Sequence, residues 1–190
     1  NFKFTISTVE INPFLALFEN QKQRSMQLRP EHVTHRLQRL KKVEKWIHKH
    51  RLDIQEALFQ DFKKSPEEVD ITEIYPVLSE LRKVRRELRH WARPKKIANP
   101  MTYWGTQSEV YYEPKGTTLI ISPWNYPFQL SLGPLVSAIA AGNTMTLKPS
   151  EYTPHTSKLL CVMAEELFED NVLSVVEGDY KVSGRLLELP

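Results

Sequence analysis

Residues 117–190 alternate between short apolar runs that are typical of strands and longer segments with helical spacing. The strand-like runs are "GTTLIIS", "NTMTLKPS" and "VLSVVEGD". Alternation with such short connections is typical of a parallel sheet whose strands are joined by right-handed helical crossovers. The first run is continuously apolar, which predicts a strand buried on both faces. The sequence therefore predicts an α/β fold built on an open, doubly wound parallel sheet.

A polar or glycine-bearing motif follows each predicted strand. Residues 123–127 follow the first strand, residues 148–151 follow the second, and Gly178-Asp179 follows the third. Ligands of open parallel sheets bind beyond the carboxyl ends of the strands. All three motifs are therefore expected at one edge of the sheet, where they predict a nucleotide site.

The stretch "SPWNYPF" holds Asn125 between two prolines. Pro123 and Pro127 each fix φ and lack a backbone N–H, and each restricts the residue before it to extended conformations. A stiff loop at a strand end is suited to aiming a polar side chain at a ligand. The alternative is an ordinary turn, in which asparagine is favoured for its turn preference alone.

Lys148 and Glu151 stand on a proline-braced turn after the second predicted strand. An ammonium group donates hydrogen bonds and a carboxylate accepts them, so this pair is able to hold the two hydroxyls of a ribose. A carboxylate in this place disfavours a 2′-phosphate, which favours NAD and leaves NADP open. The alternative is a surface ion pair on a turn. Neither G-x-G-x-x-G nor a P-loop motif occurs in the chain.

The amino-terminal half is predicted to be helical. Asn12 and Pro13 suit an N-cap and a first helical turn, and Ser65-Pro66 before two glutamates suits a later helix start. Residues 95–107 are predicted to be a linker and residues 108–114 a short strand. Apolar side chains at helical spacing predict core-facing stripes. The predicted stripes are Phe14, Leu17 and Phe18; Val33, Leu37, Leu40, Val43 and Ile47; Ile54, Leu58 and Phe62; and Leu78, Leu81, Arg85, Leu88 and Trp91.

Charge is unevenly distributed along the chain. The balance is +8 over residues 1–96 and −5 over residues 97–190, within a total of +3. The basic half raises a nucleic-acid ligand as an alternative, but "RKVRRELRHWARPKK" lacks the interleaved aromatic residues of a stacking platform. We therefore predict solvated helix faces and no nucleic-acid partner. The histidines lack the cysteine and carboxylate pattern of a metal site, so no metal is predicted.

The single cysteine excludes an internal disulfide and suits a reducing compartment, so a cytoplasmic location is predicted. Cys161 lies mid-helix among apolar residues, where nothing lowers the pKa of its thiol, and a buried structural role is predicted. No run of about 18 apolar residues predicts a membrane span, and the amino terminus lacks the apolar core of a signal peptide. Because the chain does not begin with methionine, it is expected to be a partial product.

The run "SPWNYPFQLSLGPLVSAIAAGNTMTLKPSEYTP" contains Pro-Trp-Asn-x-Pro, Ala-Ala-Gly-Asn and Lys-Pro-Ser-Glu in this order. It resembles the cofactor-domain core of the aldehyde dehydrogenase superfamily, and "YYEPKGTTLIISPWNYPFQL" resembles the class-3-like, fatty-aldehyde branch. The resemblance runs from about Asn12 to Pro190. It implies an amino-terminal helical region over residues 1–96 and a linker with a bridging or oligomerisation strand over residues 97–116. Residues 117–190 would then form the first part of a Rossmann-like NAD-binding domain.

The resemblance also implies roles for individual residues. Asn125 matches the oxyanion-hole asparagine, whose amide donates to the carbonyl oxygen while a cysteine thiolate attacks the aldehyde. Lys148 and Glu151 match the residues that hold the adenosine ribose, with Ser150 nearby. Asp179 stands where the family often has glycine, which puts close backbone approach at this position in doubt. The other matches are Ile121, Ser122, Pro123 and Trp124 along the nicotinamide side, and Gly178 and Gly184 at the adenine end.

By this resemblance the full-length protein oxidises aldehydes to carboxylic acids with NAD(P)⁺ and forms a homodimer. Three later motifs of the family do not occur in these 190 residues. They are a Thr-Gly-Ser glycine motif, a glutamate general base in a Glu-Leu-Gly-Gly context, and the nucleophilic cysteine. The chain by itself is therefore predicted to be catalytically inactive. The alternative is a non-catalytic module that binds NAD or associates with partner subunits.

Overall fold

A computed structural model describes residues 11–190 of the chain, and the signal-peptide prediction rests mainly on residues 1–10, outside this range. The first part of the described chain is helical, as predicted. Its elements are α1 (Leu15–Leu28), α2 (Val33–Lys49), α3 (Arg51–Phe62), α4 (Pro66–Val69), a π-helical segment (Asp70–Ile74) and α5 (Tyr75–Trp91).

Short strands and then alternating strands and helices follow. These are β1 (Lys95–Ile97), a 3₁₀ turn (Met101–Tyr103), β2 (Ser108–Val110), β3 (Thr117–Ile121), α6 (Pro127–Ala141), β4 (Thr144–Lys148), α7 (Pro154–Leu167), β5 (Leu173–Val175) and α8 (Tyr180–Leu187).

The strands form two separate sheets. β1 and β2 make an antiparallel pair, and β3, β4 and β5 make a parallel sheet in the order β3-β4-β5. The predicted α/β fold with a parallel sheet is confirmed. Residues 95–107 are not a plain linker, because Lys95–Ile97 pairs with the strand that the sequence predicts at residue 108.

The centre of the parallel sheet is β4, not the first strand. Every residue of β4 is buried, whereas Ile120 is the buried residue of β3. The prediction that β3 is buried on both faces is wrong. In the described part of the chain β3 has a neighbour on one side alone, so its apolar run covers less of the core than its composition suggests.

One apolar core joins the helical half to the parallel sheet. It contains Leu40 and Ile47 of α2, Leu81 of α5, Phe128 of α6 and Leu147 of β4, each of them without exposed surface. Most residues of the predicted stripes in α2, α3 and α5 are buried or half-buried. Trp91 is wrongly assigned to its stripe: 43% of it is exposed, because α5 ends there.

The first helix packs through polar side chains. Phe14, Leu17 and Phe18 are half-buried, and the buried residues of α1 are Gln21, Ser25 and Leu28. The Gln21 amide donates to the backbone carbonyl of Met145 over 2.8 Å. Its oxygen accepts from the hydroxyl of Thr146, also over 2.8 Å. The predicted apolar stripe of α1 is therefore corrected to a buried polar contact with β4.

The helices that follow the three parallel strands need partners for their first N–H groups. Asp179 is such a partner at α8, where its carboxylate accepts from the N–H of Lys181 over 2.9 Å. At α7 the acceptor is Asp61 of α3, whose side chain is fully buried. It accepts from the N–H groups of His155 and Thr156 over 3.1 and 2.9 Å. An acid of the helical half thus caps a helix of the sheet half.

Candidate functional site

The carboxyl ends of the three parallel strands bring the predicted motifs together. Ile121 pairs with Lys148 in register, and the N–H of Ser122 donates to the carbonyl of Lys148 over 3.1 Å. The N–H of Val176 donates to the carbonyl of Leu147 over 2.8 Å. The loop after β3, the turn after β4 and the segment after β5 therefore lie side by side along one edge of the sheet.

Lys148 and Glu151 form an ion pair on this edge, 3.0 Å apart. The lysine side chain is 2% exposed, so it is not the surface pair of the alternative interpretation, whereas Glu151 keeps 32% exposure. The pKa of Glu151 is lowered, first by its own backbone N–H and then by the Lys148 ammonium, with a further contribution from the N–H of Tyr180. The carboxylate is therefore charged at neutral pH and open to solvent.

The turn between them is held from within. The buried Ser150 hydroxyl accepts from the N–H of Tyr152 over 3.3 Å. The Ser150 carbonyl accepts from the N–H of Thr153 and from the hydroxyl of Ser157. Because its hydroxyl faces the turn, Ser150 supports Lys148 and Glu151 rather than presenting a further polar group to solvent.

The loop after β3 exposes most of the residues that the sequence singles out. Ile121 and Trp124 are 44% and 54% exposed, and Pro123 and Asn125 are exposed as well. Ser122 differs, because it is buried and its hydroxyl lies 2.7 Å from that of Ser131 in α6. Within residues 11–190 the Asn125 side chain has no hydrogen-bond partner, so its amide is available to a ligand.

The same loop is contacted by residues that the sequence did not single out. Glu73 accepts from the N–H of Gln129, in the first turn of α6, over 2.9 Å. Lys64 lies 2.6 Å from Glu73 and 3.5 Å from the carbonyl oxygen of Asn125. These residues are 56 and 61 positions away from their contacts. The sequence gives one local indication of Glu73, which is its place between the apolar residues Val69 and Val77 on one helix face. It gives no such indication of Lys64.

The segment after β5 combines a tight glycine with a helix cap. Gly178 has φ +148°, and a Cβ there would lie 2.5 Å from a methyl group of Val182, so no larger residue fits without a shift. Asp179, the departure from the family pattern, caps α8. Gly184 is exposed inside α8, and an added Cβ would meet no atom within 4 Å. Steric contacts therefore require glycine at position 178, whereas a larger side chain would fit at position 184.

Cys161 is half-buried, which corrects the prediction of a buried thiol. Partial burial raises the pKa of its thiol to about 11, and the nearby carboxylates of Glu177 and Glu165 add to this. The sequence prediction missed Glu177 because it reaches the helix from the segment after β5, and it overlooked Glu165, which lies on the same helix as Cys161. A thiol with so high a pKa is not an activated nucleophile.

Other sites have less support in residues 11–190. No cluster of three His, Cys, Asp or Glu side chains is placed to hold a metal ion in this range. No helix there combines the length and apolar character that crossing a bilayer requires. A cleft of about 740 Å³ is lined by residues such as Arg36, Trp91 and Tyr112, none of which belongs to the three strand-end motifs.

Comparisons with known proteins relate the chain to one family. The model of the aldehyde dehydrogenase family matches residues 16–189. The 4,4′-diaponeurosporen-aldehyde dehydrogenase of Staphylococcus aureus is 40% identical over 83% of this chain and 34% of its own length. Aldehyde dehydrogenase family 3 member B1 of Bos taurus is 35% identical over 94% of this chain and 38% of its own length.

Solved structures show the same relation. The substrate-bound state of Staphylococcus aureus AldH superimposes with a TM-score of 0.89 at 37% identity, over 95% of this chain and 39% of that one. A glyceraldehyde-3-phosphate dehydrogenase GapN from Methanocaldococcus jannaschii, complexed with NADP, has a TM-score of 0.76 at 18% identity, which shows the fold alone. The chain spans 34–38% of the length of these two curated relatives.

Proposed function

The chain belongs to the aldehyde dehydrogenase family, and on this premise we propose that it is the nucleotide-holding, amino-terminal part of an enzyme that oxidises aldehydes to carboxylic acids with NAD(P)⁺. Its relatives include aldehyde dehydrogenase family 3 member B1 of Bos taurus. The parallel sheet and its strand-end motifs would hold the nucleotide. As in the sequence prediction, residues 1–190 would not turn over aldehyde alone, because the nucleophile and base motifs are absent from this sequence.

The observation that carries this proposal is the buried Lys148 ammonium beside the solvent-open Glu151 carboxylate at the end of β4. Within the described residues, the hydrogen bond of the Lys148 ammonium is to Glu151, so its other N–H groups suit ligand hydroxyls. A carboxylate accepts from two hydroxyls at once. This donor and acceptor set fits the diol of an adenosine ribose, with Ser150 supporting the turn.

The remaining strand-end residues would hold the rest of the dinucleotide. Ile121, Pro123 and Trp124 are exposed along the loop after β3, next to Lys148, and would line the nicotinamide side. Ser122 would act through its backbone carbonyl, since its hydroxyl contacts Ser131 and its N–H donates to Lys148. The Gly178 backbone would line the adenine end, and Gly184 is the weakest member of the proposed set because it lies within α8.

Asn125 would supply the electrophilic assistance. Its exposed amide would donate to the carbonyl oxygen of the aldehyde, where negative charge develops during attack. One such preorganised donor is worth about 3–4 kcal/mol in related reactions. NAD(P)⁺ supplies the hydride acceptor when bound, and the protein residues named here orient it and the aldehyde.

We propose NAD as the preferred cofactor, because the charged Glu151 carboxylate would repel a 2′-phosphate. NADP stays possible, and the GapN structure shows that a protein of this fold binds it. The homodimer, with β1 and β2 as a bridging pair, and the cytoplasmic location remain predictions.

A titration of the 190-residue chain with NAD⁺ and NADP⁺ tests the cofactor site. We expect Lys148→Met and Glu151→Gln each to weaken NAD⁺ binding about tenfold or more, since each removes a charge-assisted hydrogen bond. The matched control is Lys158→Met, which makes the same change on an exposed part of α7 and leaves affinity unchanged. Equal affinity in all three variants would exclude the ribose role.

The mass of the native polypeptide in its source cells tests the catalytic part. It is detected through a peptide from residues 115–158. A mass well above 22.2 kDa supports a conventional aldehyde dehydrogenase of which this chain is a part. A mass near 22.2 kDa overturns the catalytic proposal and leaves the alternative module that binds NAD or associates with subunits.

A further inference from the structure

Glu73 is a fully buried carboxylate on an apolar helix face. It lies in the π-helical segment Asp70–Ile74, between Val69 and Val77, which are also buried. A buried charge is strongly unfavourable unless it is paired and hydrogen-bonded. Glu73 has both kinds of partner, the Lys64 ammonium at 2.6 Å and the N–H of Gln129 at 2.9 Å. Both partners lie outside its own helix, since Lys64 precedes α4 and Gln129 is in the first turn of α6.

Lys64 connects this carboxylate to the loop that carries Asn125. Its side chain is 10% exposed. Its ammonium lies 3.5 Å from the Asn125 carbonyl oxygen and 4.5 Å from the centre of the Tyr126 ring. The neighbouring Phe62 ring stacks on Trp124, with centroids 6.4 Å apart. Three successive loop residues are thus held by the short segment 62–64.

The two prolines of the loop leave the backbone angles of two loop residues unrestricted, and the contacts with residues 62–64 act on these two residues. Pro123 and Pro127 fix their own φ angles and restrict the residues before them. Trp124 and Asn125 lie between those restricted positions, so their backbone angles are not limited by either ring. The stacking of Phe62 on Trp124 and the approach of Lys64 to Asn125 act at these two positions.

We propose that Lys64 and Glu73 are positioning residues for Asn125. Lys64 fixes the peptide plane after Asn125, and Glu73 fixes Lys64 while it caps the first turn of α6. Together they set the direction of the Asn125 amide. The inference rests on the proposed oxyanion role of Asn125 for its function, but the positioning itself is a property of the loop.

Amide relaxation of the ¹⁵N-labelled 190-residue chain tests the positioning directly. The rigidity of Asn125 is followed at the N–H of Tyr126, which shares its peptide plane with the Asn125 carbonyl that Lys64 contacts. We expect the order parameter of this N–H to be about 0.85 in the unchanged chain and to fall below about 0.6 in Lys64→Met. Lys64→Arg keeps the positive charge and is expected to restore rigidity. Lys63→Met is the matched control, because it makes the same change at the exposed neighbouring residue and leaves Asn125 rigid.

Glu73→Gln keeps an acceptor for Gln129 but removes the charge that holds Lys64. It is expected to loosen Asn125 as Lys64→Met does, and it decides the question if Lys64→Met does not fold. A rigid Asn125 in the folded variant, or a mobile Asn125 in the unchanged chain, would overturn the proposal.

Turnover by the native polypeptide separates this inference from the proposed function. Lys64→Met is expected to lower kcat roughly 100-fold with KM for NAD⁺ unchanged, since a misplaced donor affects the transition state. If the unchanged native polypeptide oxidises no aldehyde, the proposed function fails while the relaxation result still decides the positioning. If it is active and the variant retains its full kcat, the positioning role fails.

Discussion

The three helices that follow the parallel strands begin in two different ways. α8 is capped by Asp179, the residue immediately before it. α6 and α7 have no side-chain cap from their own N-cap residues. They are capped by Glu73 and Asp61, which lie 56 and 94 positions earlier in the chain.

This difference shows how the two halves of the molecule depend on each other. A local cap stabilises its helix whatever the rest of the chain does. A remote cap exists only once the helical half has packed on the sheet half. The two remote caps lie beside the loop that carries Asn125 and the turn that carries Lys148, so the proposed site is supported by residues of the amino-terminal half.

Removal of Glu73, the remote cap that also pairs with a mostly buried lysine, is expected to have the largest effect. Glu73→Ala leaves the Lys64 ammonium without its carboxylate and the Gln129 N–H without an acceptor. We expect the free energy of unfolding to fall by about 3–5 kcal/mol, measured by urea denaturation. Glu56→Ala, on an exposed part of α3, is the control, with a change within about 0.5 kcal/mol. Equal effects at both glutamates would contradict the remote cap.

The second remote cap is expected to contribute less, because Asp61 accepts from two backbone N–H groups and a hydroxyl but neutralises no buried lysine. Asp61→Ala is expected to lower the free energy of unfolding by about 2 kcal/mol. Asp61→Asn keeps an acceptor and is expected to recover part of the loss. A cost below about 0.5 kcal/mol for the alanine variant would show that water replaces this cap.

The local cap is expected to matter least for folding. Asp179→Ala removes hydrogen bonds to the first turn of α8 at an exposed position. We expect a loss of about 1 kcal/mol, with the sheet and the other helices unchanged by circular dichroism. A larger loss than for Asp61→Ala would reverse the order that the comparison of local and remote caps predicts.

The Lys148–Glu151 pair is a local contact within the proposed site, and the pH dependence of nucleotide affinity tests it. The pKa of Glu151 is lowered, so its charged form persists below the usual glutamate range near pH 4.3. The stabilisation that its ion pair provides is present above the unfolded-state pKa and is lost as pH falls through the folded-state pKa. We expect NAD⁺ affinity to hold from pH 7 down to about pH 4.3 and to fall below that pH. A decline that begins above pH 6 would exclude Glu151 as its cause.

Cys161 gives the smallest expected effect at neutral pH. Because its thiol pKa is raised to about 11, alkylation by iodoacetamide is expected to be slow at pH 8 and to accelerate toward pH 11. The folded chain favours the protonated thiol. The stability that this thiol contributes is fully present below its unfolded-state pKa and is lost as pH rises through about 11. Fast alkylation at pH 7 would indicate an activated thiol instead.

The sequence predicted those features that depend on neighbouring residues. The end of α6 at Gly142, with φ +88°, and the end of β4 before Pro149 follow from local backbone preferences. The Lys148–Glu151 pair was predicted for the same reason, since three residues separate its members. The parallel sheet followed from the alternation of strands and helices.

Features that depend on distant contacts were missed. The roles of Lys64 and Glu73 were missed because their partners become neighbours only in the folded chain. In the sequence, Lys64 lies in a turn and Glu73 on a helix. The exposure of β3 was missed because burial depends on strand order, which an apolar run does not specify. Gln21 was passed over for the same reason, in favour of the apolar residues before it.

The Gln21 contact changes how the first helix should tolerate substitution. In an ordinary amphipathic helix the apolar face is the conserved one and polar positions vary freely. In α1 the amide of one glutamine matches a carbonyl and two hydroxyls on β4 and β5, those of Met145, Thr146 and Ser174. A leucine of similar size would leave these groups without a partner. In a saturation library of α1, Gln21 should therefore be the position that tolerates the fewest replacements, while Leu17 and Phe18 accept many.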